Sequence, residues 1–239
     1  MEILTEYLRA KTPDQIDPKM IAFIANLNLV NGALPQIAQS IVSELADQRS
    51  NLKLIASENY CSLQVQSAMC SLLTDKYAEG KIAHRFYTGC GNIDDIEKIA
   101  CDEACDLFGC EHAYVQPHSG ADANLVAYWA ILRKRIQTPI IEKLPNQDLL
   151  SISKEEWDSL RHEMGNQKLL AMDLYSGGHL THGYRHNASG LMFDVYNYQV
   201  DKETGLLNYD EIHKMLLDIK PLIFLVRLRQ SVHRRKGFH

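Results

Sequence analysis

Residues 113–120 read Ala-Tyr-Val-Gln-Pro-His-Ser-Gly, a short strand-like run that breaks into a turn of small residues. A helical pattern opens directly behind it, through Ala123, Ala127, Ala130 and Ile131. Strand, small-residue turn and helix in that order form the unit from which α/β sheets are built. The alternation continues downstream. Residues 169–172 predict a second strand, which runs into Asp173-Leu174-Tyr175-Ser176-Gly177-Gly178-His179. Residues 195–200 predict another strand, 201–205 a turn, 209–217 a helix and 221–226 a further strand. The expected fold is therefore α/β, a parallel-rich sheet flanked by helices.

Upstream of that unit the pattern is helical. Ile37, Ile41, Val42 and Leu45 place an apolar stripe on residues 34–49, and Val65, Ala68, Met69, Leu72 and Leu73 do the same for 61–77. A third helix is expected from Asn92 to just before Gly109, with Asp94, Asp95 and Glu97 in its first turns. Its predicted apolar stripe is Ile93, Ile96, Ile99 or Ala100, Ala104 and Leu107. A polar stretch at about 137–167, with Pro139 and Pro145, reads as an insertion carrying its own helix near 154–162. The resulting division is 1–50, an N-terminal extension and first helix; 51–226, the sheet-bearing domain, incomplete; and 227–239, a basic tail.

Composition narrows the class. The chain has 239 residues, 46% hydrophobic and 23% charged, which excludes a disordered or collagenous protein. A net charge of −5 argues against general nucleic-acid binding. The apolar run at 20–30 is broken by Asn26 and Asn28 and is too short to span a bilayer. The first residues have no secretory pattern, so the expected location is the cytoplasm. Residues 227–239 hold five Lys or Arg and no acid, unlike everything before them.

Six cysteines (61, 70, 90, 101, 105 and 110) crowd into one stretch and are expected to be reduced. Cys101 and Cys105 lie one helical turn apart, and Cys110 with His112 would complete four ligands, but no C-x-x-C occurs. Small buried hydrophobes are the better reading, and no metal is assigned. His179, His182 and His186 give a second spacing to weigh for metal, but the flanking glycines oppose the helix such spacing needs.

Three segments carry candidate chemistry. The turn at Ser119 and Gly120 offers backbone N–H groups, a hydroxyl and a helix N-terminus to a phosphate; an ordinary N-cap is the alternative. The loop at 177–183 follows a strand, where open α/β sheets place ligands, and its glycines leave the His179 imidazole free to stack on a flat ring. Residues 76–90 combine Tyr77, Glu79 and Tyr87 with glycines, so Glu79 could carry a proton and the phenols could bind phosphate or carboxylate. A solvated loop is the alternative there.

With these residues in view, the chain resembles the serine hydroxymethyltransferases. The matching strings are LIASENY (54–60), LTDKYAEG (73–80), RFYTGCGNID (85–94), LFG (107–109) with VQPHSGADAN (115–124), MDLYSGGHLTHG (172–183) and VDKETGLLNYDEI (200–212). The resemblance covers roughly 34–225 and corresponds to about the first half of a family member. It implies a large domain of the aspartate-aminotransferase-like type (fold type I), pyridoxal 5'-phosphate as cofactor, and one-carbon transfer between serine and tetrahydrofolate. It also implies a homodimer that acts on serine, glycine and folate, with neither nucleic acid nor membrane as partner. By resemblance, Ser119 and Gly120 would hold the cofactor phosphate and His179 would stack on the pyridine ring. Tyr77 would reach a neighbour's phosphate, and Glu79, with His179 one of two catalytic candidates, would move protons. Ser57 and Tyr87 would lie near the substrate carboxylate, and Leu174, Gly178 and Leu180 would line the folate pocket.

The sequence departs from the family pattern in places. Ala121 stands where many members have serine, and Phe86 replaces a common tyrosine. After Leu225 the family pattern continues with a Ser-Ala-Tyr strand, an Asp and a His, a Thr-rich run carrying the anchoring lysine, and later an arginine; the basic tail stands there instead. Two expectations follow: the tail is the product of a shifted reading frame, and the chain is a catalytically inactive fragment with uncovered sheet edges and helix faces. A metal-binding α/β module is the third reading.

Overall fold

The computed structural model describes residues 2–226 except 56 and 146. The tail at 227–239, with the frame-shift reading placed on it, lies outside the described residues. Contacts divide the chain into two compact units, one ending at Glu111 and the other beginning at His112. This division falls inside the stretch 51–226 read above as one domain.

In the first unit, helices α1 (Glu2–Arg9), α2 (Pro18–Ala33) and α3 (Pro35–Ser50) precede α4 (Leu63–Met69). A two-stranded antiparallel hairpin, β1 (Gly80–Lys81) and β2 (His84–Arg85), leads to α5 (Gly91–Phe108). The apolar run at 20–30 lies inside α2, which starts at Pro18 behind the cap of Asp17 and packs on α3, with Ile24, Leu27 and Ala38 buried. The helix expected over 61–77 is shorter than its stripe. It ends at Met69, and a 3-10 turn capped by Ser71 follows at Leu72–Asp75. The Ser71 hydroxyl accepts the Leu73 N–H, a local alternative to continued helix that periodicity does not register. Helix α5 ends at Gly109 in the left-handed conformation, as its position predicts. Its stripe is a correction: Ile96, Ile99 and Leu107 are exposed, and no α5 residue is buried within the unit.

The second unit contains α6 (Gly120–Leu132), α7 (Thr138–Ile141), α8 (Lys154–Gly165), β3 (Lys168–Met172), α9 (Ala188–Met192), β4 (Asp194–Tyr198), α10 (Tyr209–Ile219) and β5 (Ile223–Leu225). Strand β3 is central, pairing in parallel with β4 on one side and β5 on the other. A strand covered on both faces reads as an unbroken apolar run, and Leu169-Leu170-Ala171-Met172 is one. Leu169 and Ala171 pack with Tyr128 and Leu132 of α6, Phe193 and Ile223. Leu170 and Met172 pack on the other face with Tyr198 and with Ile212 of α10. Helix α8 begins with a reciprocal cap: the Ser153 hydroxyl accepts the Glu156 N–H, and the Glu156 carboxylate accepts the Ser153 N–H.

One expectation fails in this unit, and the structure decides which face of α6 is covered. Residues 113–115 form no strand, because an extended run becomes one only beside a partner, and no described residue pairs with them. The covered side of α6 is Tyr128 and Leu132 with half-buried Asn124, while Ala123, Ala127 and Ala130 are exposed. Among the described residues, no helix is long and apolar enough to cross a membrane.

Candidate functional site

The carboxyl end of β3 makes the site of the second unit. After Met172 the chain turns through Leu174–Ser176, with Asp173 capping by accepting the Tyr175 N–H. Gly177 adopts φ 101°, a left-handed value, and the Gly178 N–H returns to the Asp173 carbonyl at 2.8 Å. A Cβ on Gly178 would sit 2.1 Å from the Met172 carbonyl oxygen, so only glycine permits this close return. Gly178 therefore has a packing role beside the ligand role expected of it.

The return presents His179 at the surface, with its ring held by Thr181. The Thr181 N–H donates to His179 Nδ1 at 3.2 Å, and Thr181 Oγ1 stands 2.8 Å from the same nitrogen. Thr181 Oγ1 in turn accepts from Asn124 Nδ2 at 2.7 Å, which leaves its own proton for Nδ1. Nδ1 is thus an acceptor, and the neutral ring carries its proton on Nε2. The Tyr128 hydroxyl donates to the Thr181 carbonyl at 2.7 Å. Burial raises the Tyr128 phenol above its ordinary value, the stronger of two opposed effects, while its hydrogen bond to Thr181 lowers it. Thr181 is 3% exposed and its bond from Tyr128 is buried, so that bond counts for more than it would in water.

Asn124 and Tyr128 belong to α6, whose first residues are the small-residue turn. The Ser119 hydroxyl accepts the Asp122 N–H at 3.0 Å, leaving its own proton to donate outward. The Gly120 and Ala121 N–H groups precede the helical ladder, and nothing lies within 4 Å of a Cβ built on Gly120. The small-residue turn and the His179 loop are therefore tied to one helix through one buried threonine. Beside them, Leu174, Tyr175, His179, His182, Arg185 and Asn197 line part of a cleft of about 300 Å³ at the ends of β3 and β4. Leu180, exposed, and Gly178 do not line it.

The first unit holds the other four expected residues. Tyr77 and Tyr87 meet edge to face, with ring centroids 5.5 Å apart, over a shallow cleft shared with Asp75, Lys76 and Thr88. The Glu79 carboxylate is exposed and lies outside that cleft, although its backbone carbonyl accepts the Phe86 N–H. Ser57 sits in a separate cleft with Gln48, Lys53, Glu58, Asn59 and Tyr60. The first unit thus brings Tyr77 and Tyr87 together and leaves Ser57 apart from them.

Arg85 organises the tyrosine loop, a role the sequence reading missed. Its Nη1 donates to the Ala78 and Gly80 carbonyls, its Nε pairs with Asp94 at 2.7 Å and its Nη2 pairs with Glu97. Asp94 also accepts the N–H of Ala83, a residue in the left-handed region at φ 60°. The Arg85 hydrogen bond, more than that of Ala83, holds the Asp94 carboxyl below the usual carboxylate range. The signal is present in the sequence: Asp94 and Glu97 stand three apart on one helix face, a spacing that suits one cation as well as the helix dipole. Thr181 and Asn124 were missed for a different reason, since 57 residues separate them.

Among the described residues, no three His, Cys, Asp or Glu side chains converge as a metal site. The second unit is thus an α/β domain with a parallel sheet, carrying a glycine-rich loop at the carboxyl end of its central strand, where open α/β sheets place ligands. The family model of serine hydroxymethyltransferase matches residues 30–147 and 161–232. The chain belongs to the serine hydroxymethyltransferase family. It is 58% identical over 222 residues to the serine hydroxymethyltransferase of Treponema pallidum, covering 93% of this chain and 39% of that protein. It is 49% identical over 204 residues to that of Cutibacterium acnes, covering 85% and 42% respectively. For the Chlamydia trachomatis serovar D protein, identity is 44% over 238 residues, covering 99% of this chain and 48% of the relative. The chain therefore spans less than half the length of these relatives. The family match skips 148–160, which lies inside the stretch read as an insertion.

Proposed function

We propose that this chain provides the cofactor-cradling part of a pyridoxal-phosphate-dependent serine hydroxymethyltransferase. Such an enzyme interconverts serine plus tetrahydrofolate with glycine plus methylenetetrahydrofolate. The reading places the α/β unit in the large domain of fold type I, in a cytoplasmic homodimer. The observation that carries it is the Thr181 tie, which joins His179 to the helix that begins at Ser119 and Gly120. Bound pyridoxal phosphate would supply an electron sink for cleavage at the amino-acid α-carbon.

The residues present suit such a group. A hydroxyl proton and leading N–H groups at a helix N-terminus, with open space over Gly120, match a phosphate dianion. An imidazole held at Nδ1 keeps its plane fixed and offers a face to a flat heteroaromatic ring. In the proposed roles, Tyr77 donates its phenol proton to a neighbouring subunit's phosphate, and Glu79 exchanges a proton at the substrate hydroxyl and the folate. Ser57 and Tyr87 bind the substrate carboxylate, and Leu174, Gly178 and Leu180 shape the folate pocket. Residues 1–239 contain no Thr-rich run with a lysine, so the covalent anchor of the family is assigned to none of them.

The test is a titration of the chain with pyridoxal phosphate and with pyridoxal, read by cofactor absorbance and fluorescence. The expected result is binding that requires the phosphate and weakens in His179→Ala and in Ser119→Ala. Equal binding of both compounds, unchanged in the variants, would overturn the cradle.

A further inference from the structure

The carboxyl end of α5 places two thiols together through its backbone. Gly109, in the left-handed conformation at φ 63°, lets both its own N–H and that of Cys110 return to the Cys105 carbonyl, the latter at 3.1 Å. This helix termination brings the side chain two residues beyond the last turn against the one at its start, a position where apolar pairs ordinarily meet. Here the pair is Cys105 and Cys110, which the cap brings together at the helix end. Cys101, one turn back on the same helix, is close enough to interact with Cys105, as is Asp102. No two of the six cysteines are disulfide-bonded.

We propose that Cys105 and Cys110 form a dithiol modification site, closed to a disulfide by low-molecular-weight disulfides of the glutathione class. Exposure selects the entering group. Cys110 is exposed, whereas Cys105 is partly covered. Burial first, and the Cys110 contact next, raises the Cys105 thiol above its ordinary value, so it is the poorer first nucleophile. The Cys110 thiolate attacks one sulfur of the small disulfide, forming a mixed disulfide and releasing one thiolate. Cys105 then loses its proton to solvent and attacks the Cys110 sulfur, forming the Cys105–Cys110 bond and releasing the second thiolate. The protein dithiol gives up two electrons, the small disulfide is reduced to two thiols, and those take up the two protons. The site is independent of the cofactor reading.

The test equilibrates the full chain with reduced and oxidised glutathione, alkylates the remaining thiols and digests with chymotrypsin. Cleavage at Leu107 or Phe108 separates Cys105 from Cys110 unless a disulfide joins them. The expected result is that two of the six thiols escape alkylation and the two pieces travel together. Cys110→Ser should abolish the linked product and Cys101→Ser should retain it. Full alkylation of all six thiols overturns the proposal. So does a bond through Cys101, or a glutathione adduct that persists on Cys110 while Cys105 is alkylated.

Discussion

The two units hold their candidate chemistry by different means. From His112 onward, His179 depends on a threonine that is out of water, a central strand covered on both faces and two side chains of one helix. Before Glu111, the loop with Tyr77 and Tyr87 is held by one guanidinium with two carboxylates and by the buried Cys90 thiol against the Tyr77 and Tyr87 carbonyls, and neither α4 nor α5 contributes a buried residue. Packing distributes support over many atoms, each contributing little. A charge cluster concentrates it in a few side chains, and the carboxylates among them respond to pH. The first loop should therefore fail locally and abruptly, the second only with its core.

Leu170→Ala would strain that contrast most. Leu170 is wholly buried, so truncation should cost about 2–5 kcal/mol in chemical denaturation of the second unit. A cost under about 1 kcal/mol would mean that the strand is not the support described here. Tyr128→Phe removes the hydroxyl that holds the Thr181 carbonyl and should cost about 1 kcal/mol. Faster amide exchange in the His179 loop should accompany it, and unchanged exchange would separate that loop from α6. Ser119→Ala removes an N-cap and should also cost about 1 kcal/mol, read from the same denaturation curves.

Acid sharpens the other side of the comparison. The folded-state pKa of Asp94 is lowered, first by Arg85 and then by the Ala83 N–H. Its stabilisation is complete above the ordinary aspartate value and is lost as pH falls through the lowered one. The Ala83 amide shift in NMR should follow that titration, while the Thr181 amide should not. Leu107→Ala has the smallest expected effect. Leu107 is 78% exposed, so its loss should change stability by less than about 0.5 kcal/mol. A large loss would show that α5 is covered after all.

Several features were legible because their causes are local. Gly109 ends α5 and Ser153 with Glu156 starts α8, since a cap involves only residues a few positions apart. Leu169-Leu170-Ala171-Met172 could be read as a buried strand from its unbroken apolar character. The face of α6 could not be read. Its sequence is apolar nearly all round, and only the sheet decides that Tyr128 and Leu132 go inward while the alanines stay out. Of the candidate site, the anion turn and the histidine were visible as motifs, whereas the threonine that joins them and the arginine beneath the tyrosines were not.

The sequence by itself determined the family, the order β3, β4, α10 and β5 in the second unit, and the close of α5 at Gly109, because those depend on residue identity and near neighbours. The tertiary structure alone decided which helix faces are covered, that residues 113–115 find no strand partner among the described residues, and that Asn124 reaches Thr181. The physical reason is range: a hydrogen bond or a buried face between distant segments exists only once the chain has brought them together, and no local pattern encodes it.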